Sequence, residues 1–198
     1  MTAQLHDKFY LREEEYSITR VSAPLGWDPL SDLKLRPEGT STNCWRGYQL
    51  GLHLDDEQFL AIDYLGMNLY LVAQHKREYI GVKGPVIHEI IPVDKSEDDV
   101  TGFNNNYYGL NLILGYEGSI EIAKDFIRDM YVHMGYQHSN RYKKVLRLTF
   151  KNGKLVNEED ISKDMEMERN QLDSKDGLDG MREIASGRTT NLPSSEND

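Results

Sequence analysis

Three stretches of the chain repeat one pattern: an alternating apolar strand, a tight turn and a return strand. Leu50, Leu52 and Leu54 alternate up to Asp55-Asp56-Glu57, and Phe59 to Tyr64 runs back. Leu110, Leu112 and Leu114 alternate up to Tyr116-Glu117-Gly118, and Ile120 and Ile122 return. Leu146, Leu148 and Phe150 alternate up to Asn152-Gly153, with Leu155 beyond. A period of two lines one row of side chains along one face of a sheet. The chain therefore reads as mainly β: an antiparallel meander or open sheet, or two packed sheets, with one short helix. The unequal spacing of the three units excludes a fixed-period solenoid.

Other segments fit this scaffold. Phe9 to Arg12 and Tyr16 to Val21 read as strands around a bend at Glu13-Glu14-Glu15. Asn68 to Ala73, Glu78 to Val82 and Val86 to Val93 are further strand candidates, the last confined to an edge or strand end by Pro92. Trp27 falls in a Pro- and Gly-marked loop, and Asp94 to Asn106 is the longest polar connection. Lys124 to Tyr131 is the helix candidate, since Phe126, Ile127, Met130 and Tyr131 form one stripe. Lys151-Asn152-Gly153-Lys154 carries the type I′ hairpin signal. Residues 1–163 are expected to form a single β-rich domain. Residues 164–198 are read as a charged tail too polar to order by itself, although Asp164 to Arg169 could make a short charged helix.

Charge and composition narrow the function. The formal net charge is −10, which repels phosphate backbones. The basic clusters Lys76-Arg77 and Arg141-Tyr142-Lys143-Lys144 are too short to reverse that, so no nucleic-acid partner is expected. No apolar run approaches the roughly 18 residues that span a bilayer, so no membrane role is expected. The first residues lack the apolar stretch of a secretory signal, and Cys44 is the only cysteine; both favour a cytoplasmic protein. A strongly negative field speeds association with a basic protein.

Chemistry-bearing residues are sparse. Thr42 to Tyr48 is the most distinctive string. Arg46 beside Tyr48 can stack, and serves either as an anion or carboxylate clamp or as a bridge to a loop or a buried acid. Gly47 leaves room for a ring or a backbone to approach. His133 and His138 lie five apart, a poor metal pair even with His88, Glu89 or Asp129 as helpers. His53 and Asp63 could pair across the first hairpin as an acid–base dyad. Phosphate-cradling, calcium-binding and serine-nucleophile motifs are absent, and no cofactor is expected.

The run Cys44-Trp45-Arg46-Gly47-Tyr48, followed by an alternating strand, resembles a segment of uncharacterised bacterial proteins. Tyr131-Val132-His133-Met134-Gly135-Tyr136-Gln137 resembles a second segment of the same proteins. The similarity spans about residues 40 to 160 and implies a compact, β-rich bacterial protein, with no catalytic role to carry over. The residues favour Trp45, Arg46, Tyr48, His133, Tyr136 and His138 as a binding set with no metal. The function expected is protein binding, of the immunity or antitoxin kind that neutralises a basic partner. The alternative is a small-ligand site or enzyme near Arg46, His53, Asp63 and His133.

Overall fold

A computed structural model describes residues 2–25, 33–73, 78–94 and 102–171. It is mainly β. Its strands are β1 (Lys8–Leu11), β2 (Glu14–Val21), β3 (Tyr48–Leu54), β4 (Leu60–Met67), β5 (Tyr70–Ala73), β6 (Glu78–Gly81), β7 (Asn105–Ile113), β8 (Gly118–Phe126), β9 (Tyr142–Lys151) and β10 (Lys154–Asp160). β5 and β6 pair separately; the other eight make one sheet in the order β10-β9-β8-β2-β1-β3-β4-β7. All its pairs are antiparallel except β1 with β3, which is parallel and joins the two halves.

The alternating rows point inward as expected. Leu52, Leu60, Ile62, Leu65, Ile120, Ile122 and Leu148 are wholly inaccessible, and Phe9, Tyr16, Tyr107, Tyr116 and Phe150 join them in one core. A single core along the whole sheet requires the sheet to curl. Its edge strand β10 returns to the start of β4: Phe59 bridges Lys154, the Leu60 N–H donates to Gly153 O (2.8 Å), and the Leu155 N–H donates to Gln58 O (2.9 Å). From the tip of the first hairpin Arg12 reaches across to Glu158 in a two-pronged ion pair of 2.9 and 2.7 Å. The sheet is thus nearly closed on itself, with Leu155 of β10 partly buried against the core.

The turns explain the register. Asn152 (φ 50°) and Gly153 (φ 80°) form the expected two-residue turn between Lys151 and Lys154. The first hairpin uses the same left-handed pair, but at Arg12 (φ 53°) and Glu13 (φ 65°). The bend therefore lies one residue earlier than the acidic run suggests, in a conformation side chains resist. Asp55 closes the third turn by accepting from the N–H groups of Glu57 (3.0 Å) and Phe59 (2.7 Å).

Three expectations are corrected. Lys124 to Tyr131 is not a helix: β8 continues through Phe126, pairing Lys124 with Lys144 and Phe126 with Tyr142, before a single 3₁₀ turn at Arg128–Met130. A two-turn helix has little intrinsic stability, and pairing to β9 wins. Among the described residues a helix, α1, covers residues 162–171 and takes in the Asp164 to Arg169 segment. Asp160 starts it by accepting from the Ser162 N–H (3.0 Å), and Met165 packs against Ile161, Ala123, Tyr142 and Val145 on the outer side of β8 and β9. Val86 to Val93 is not a strand. It makes only isolated bridges, Ile87 with Ile90 and Val93 with Asn106. Pro85 and Pro92, lacking N–H groups, cannot extend a ladder. Asn105 and Asn106, read as loop, begin β7. Asn104 and Asn105 tie down Leu69, Val82 and Gly84 through side-chain hydrogen bonds of 2.6–2.9 Å. Trp27, Lys76, Arg77 and the tail beyond 171 lie outside the described residues. No helix among the described residues is long and apolar enough to cross a membrane.

Candidate functional site

The N-terminal segment, residues 2–7, brings the two distinctive strings together. On one side the Leu5 N–H donates to Asn43 O (2.7 Å), and Gln4 bonds Thr42 O and the Trp45 N–H (both 3.0 Å). On the other side the Gln4 N–H donates to Gly135 O (2.8 Å) and the Ala3 N–H to the Tyr131 hydroxyl (3.2 Å). Trp45 and residues 131–137 are therefore fixed to a common strip of backbone.

Cys44 to Gly47 is a turn, not part of a strand; β3 starts at Tyr48. Gly47 (φ 73°) is required there, because a Cβ would lie 2.6–2.7 Å from the Glu38 backbone. The turn folds Arg46 back onto its neighbours. Its Nε donates to Tyr48 O (2.8 Å), its guanidinium lies 4.7 Å from the Tyr48 ring centre, and both terminal nitrogens grip Asp7, one at 2.8 Å. Asp7 also accepts the Leu50 N–H at 2.6 Å. Desolvation opposes the guanidinium's charge, but the attraction and hydrogen bonds of Asp7 outweigh it and hold the pKa above its ordinary value. Arg46 is thus a bridge to a buried acid rather than an open anion clamp. Cys44 donates to Tyr48 O (3.4 Å), and burial pushes its thiol up, away from the thiolate a nucleophile needs.

His6 anchors the loop behind this pair. Ile18 O, which can only accept, lies 2.7 Å from Nδ1, and the Gln137 N–H donates to Nε2 at 3.1 Å. The imidazole is therefore neutral, with its proton on Nδ1. Burial lowers its pKa from 6.5. Tyr136 packs edge-on at 5.3 Å, and Gln137 bonds both the N–H and C=O of Val132.

This scaffold presents large aromatic and apolar side chains to water. Trp45 is 57% exposed, Met134 53%, and Tyr131 and Tyr136 43% each. The Tyr136 hydroxyl is raised by burial, with smaller influences from Arg46, Asp7 and Cys44, which places it beside that group. Of the six residues expected to bind, Trp45, Arg46, Tyr48 and Tyr136 come together. His133 is exposed on the same loop with its ring 5.2 Å from Tyr131. His138 is carried elsewhere, into a cleft of about 540 Å³ lined by Thr19, Arg20, Glu121, Ser139 and Met165. Buried Glu121 there accepts from Ser139 (2.5 Å) and Arg147 (3.1 Å).

The alternative set is not assembled. Arg46 is engaged by Asp7, and His133 is on the loop. His53 lies on the outer face of β3 opposite Ala61 and beside Tyr10. Its Nε2 is buried without a hydrogen-bond partner, and no hydrogen bond joins it to Asp63 among the described residues. Asp7, His6, Gln137 and Glu121 carried no local signal: each acquires its role from a residue more than ten positions away. Comparisons with family models, curated proteins and solved structures return no match, and none bears on the Trp-Arg-Gly-Tyr resemblance.

Proposed function

We propose that the protein is a cytoplasmic binding module for a basic protein, in the manner of an immunity or antitoxin protein. The observation that supports this is the patch of Trp45, Tyr131, Met134 and Tyr136, held on turns that are hydrogen-bonded from both sides by residues 2–7. Aromatic and Met side chains on a pre-ordered surface are what interface centres use, since little rotamer or loop entropy is lost on docking. The net charge of −10 supplies the long-range attraction for a basic partner.

The test is recovery of a stoichiometric partner from the native host, followed by stopped-flow association with the purified pair. The association rate is expected to fall roughly tenfold or more between low and moderate salt. Trp45→Ala is expected to speed dissociation at least about tenfold, as for a central interface aromatic. A salt-insensitive association rate together with unchanged dissociation of Trp45→Ala refutes the reading.

A further inference from the structure

The outer face of the β1-β3-β4-β7 half of the sheet carries a row of tyrosines. Gly51 on β3 stands opposite Tyr64 on β4, and Tyr64 stands opposite Tyr108 on β7. Tyr10, from β1, covers Gly51 from the other side. A Cβ on Gly51 would lie 2.9 Å from the Tyr64 Cβ and 3.1 Å from the Tyr10 ring. The second glycine of the row, Gly66, lies beneath the Tyr64 hydroxyl, which would be 2.2 Å from its Cβ. That hydroxyl donates to Asn106 (2.8 Å), so the ring is held flat along the sheet. The Tyr108 ring lies 5.1 Å from it at 37°. Tyr10 and Tyr108 are 40% and 54% exposed. The result is a rigid aromatic shelf built over two glycines.

Its charges are asymmetric. Lys8 and Glu15, beside Tyr10, neutralise each other in an ion pair of 2.5 Å. Asp63, next to Tyr64 on β4, sits where the β3–β4 and β4–β7 registers both shift. It is close enough to raise the Tyr10 hydroxyl, after burial and Glu15. No hydrogen bond or ion pair holds it among the described residues. His53, a further titratable group on this face, neighbours Tyr10 across the β1–β3 pairing.

We propose that this shelf binds an arginine side chain presented by a basic protein segment, its guanidinium on the exposed faces of Tyr10 and Tyr108 and its charge met by Asp63. A planar, weakly hydrated guanidinium stacks on rings and pairs with a carboxylate better than an ammonium does. Tyrosine rows on sheets also stack nucleobases, but the carboxylate of Asp63 beside Tyr64 repels the accompanying phosphates. The shelf shares no residue with the Trp45 patch, and success or failure at either leaves the other standing.

The test is an NMR titration of the full chain with the end-capped peptide Gly-Arg-Gly-Arg-Gly, its lysine counterpart and a short oligothymidylate. The arginine peptide is expected to shift the ring resonances of Tyr10 and Tyr108 and to bind about threefold or more tighter than the lysine peptide. Asp63→Asn and Tyr108→Leu are each expected to weaken it about fivefold. The exposed, charge-matched control Glu117→Gln is expected to weaken it less than about twofold, as a distant screened charge should. Equal losses for Asp63→Asn and Glu117→Gln overturn the proposal. So do shifts confined to other surfaces, or tighter binding of the oligothymidylate.

Discussion

Arg46→Lys should separate charge from geometry at the most heavily bonded side chain of the N-terminal region. Arg46 makes three hydrogen bonds, two to Asp7 and one to Tyr48 O, and stacks on the Tyr48 ring. Its side chain is 25% exposed and that of Asp7 14%, so the pair is neither fully dry nor a surface pair. A lysine keeps the charge but makes one bond to Asp7 at best, and forfeits the fork and the stacking. Losing two hydrogen bonds in this half-wet setting should cost about 1–2 kcal/mol. Arg46→Met leaves Asp7 nearly buried with only the Leu50 N–H. It should cost about 3 kcal/mol, the low end for breaking a buried pair because water reaches part of the site. Urea unfolding followed by far-UV circular dichroism reads both, with the dependence on denaturant unchanged. A double-mutant cycle with Asp7→Asn should return a coupling of about 1–2 kcal/mol. If Arg46→Lys matches the parent within about 0.5 kcal/mol, the ordinary scatter of surface substitutions, the structural role given to the fork is wrong.

Two further outcomes follow from the geometry. Burial holds the pKa of His6 below its ordinary 6.5, so the unfolded chain takes up the proton first as pH falls. Stability tied to neutral His6 is therefore complete above that value and declines as pH drops toward the lowered pKa. Urea midpoints measured from pH 7.5 down to 5.5 should fall, with a shallower fall in His6→Gln; equal slopes would exclude His6 as the source. The two left-handed turns should respond with opposite signs. Glu13→Gly relieves a side chain at φ 65° and should stabilise by about 0.5–1 kcal/mol. Gly153→Ala adds strain at φ 80° and a Cβ 2.2 Å from Leu114 O, and should cost about 2–3 kcal/mol. Thermal melts of the two variants moving in the same direction would contradict this.

The hairpins were legible because a strand's facing is written locally. Leu146, Leu148, Phe150 and the Asn152-Gly153 turn need no distant residue to state their period or their sharp reversal. The same local logic failed at Arg12-Glu13, where a left-handed turn forms without glycine or asparagine and an ion pair to Glu158 ties its tip to β10. It failed again at Lys124 to Phe126, where helical spacing yields to pairing with Tyr142 to Lys144. Arg46 was singled out with its stacking partner Tyr48, which lies only two residues on. Its acid, Asp7, lies 39 residues earlier and could not be named. By itself the sequence determined that apolar rows would share one dry side and where most strands would reverse. Only the tertiary structure decided the parallel β1–β3 junction, the curl that makes one core of eight strands, and the docking of residues 2–7 between Trp45 and the 131–137 loop. These depend on pairing between segments far apart in the chain, and the energy of such pairing is set by which surfaces meet rather than by any local spacing of residue types.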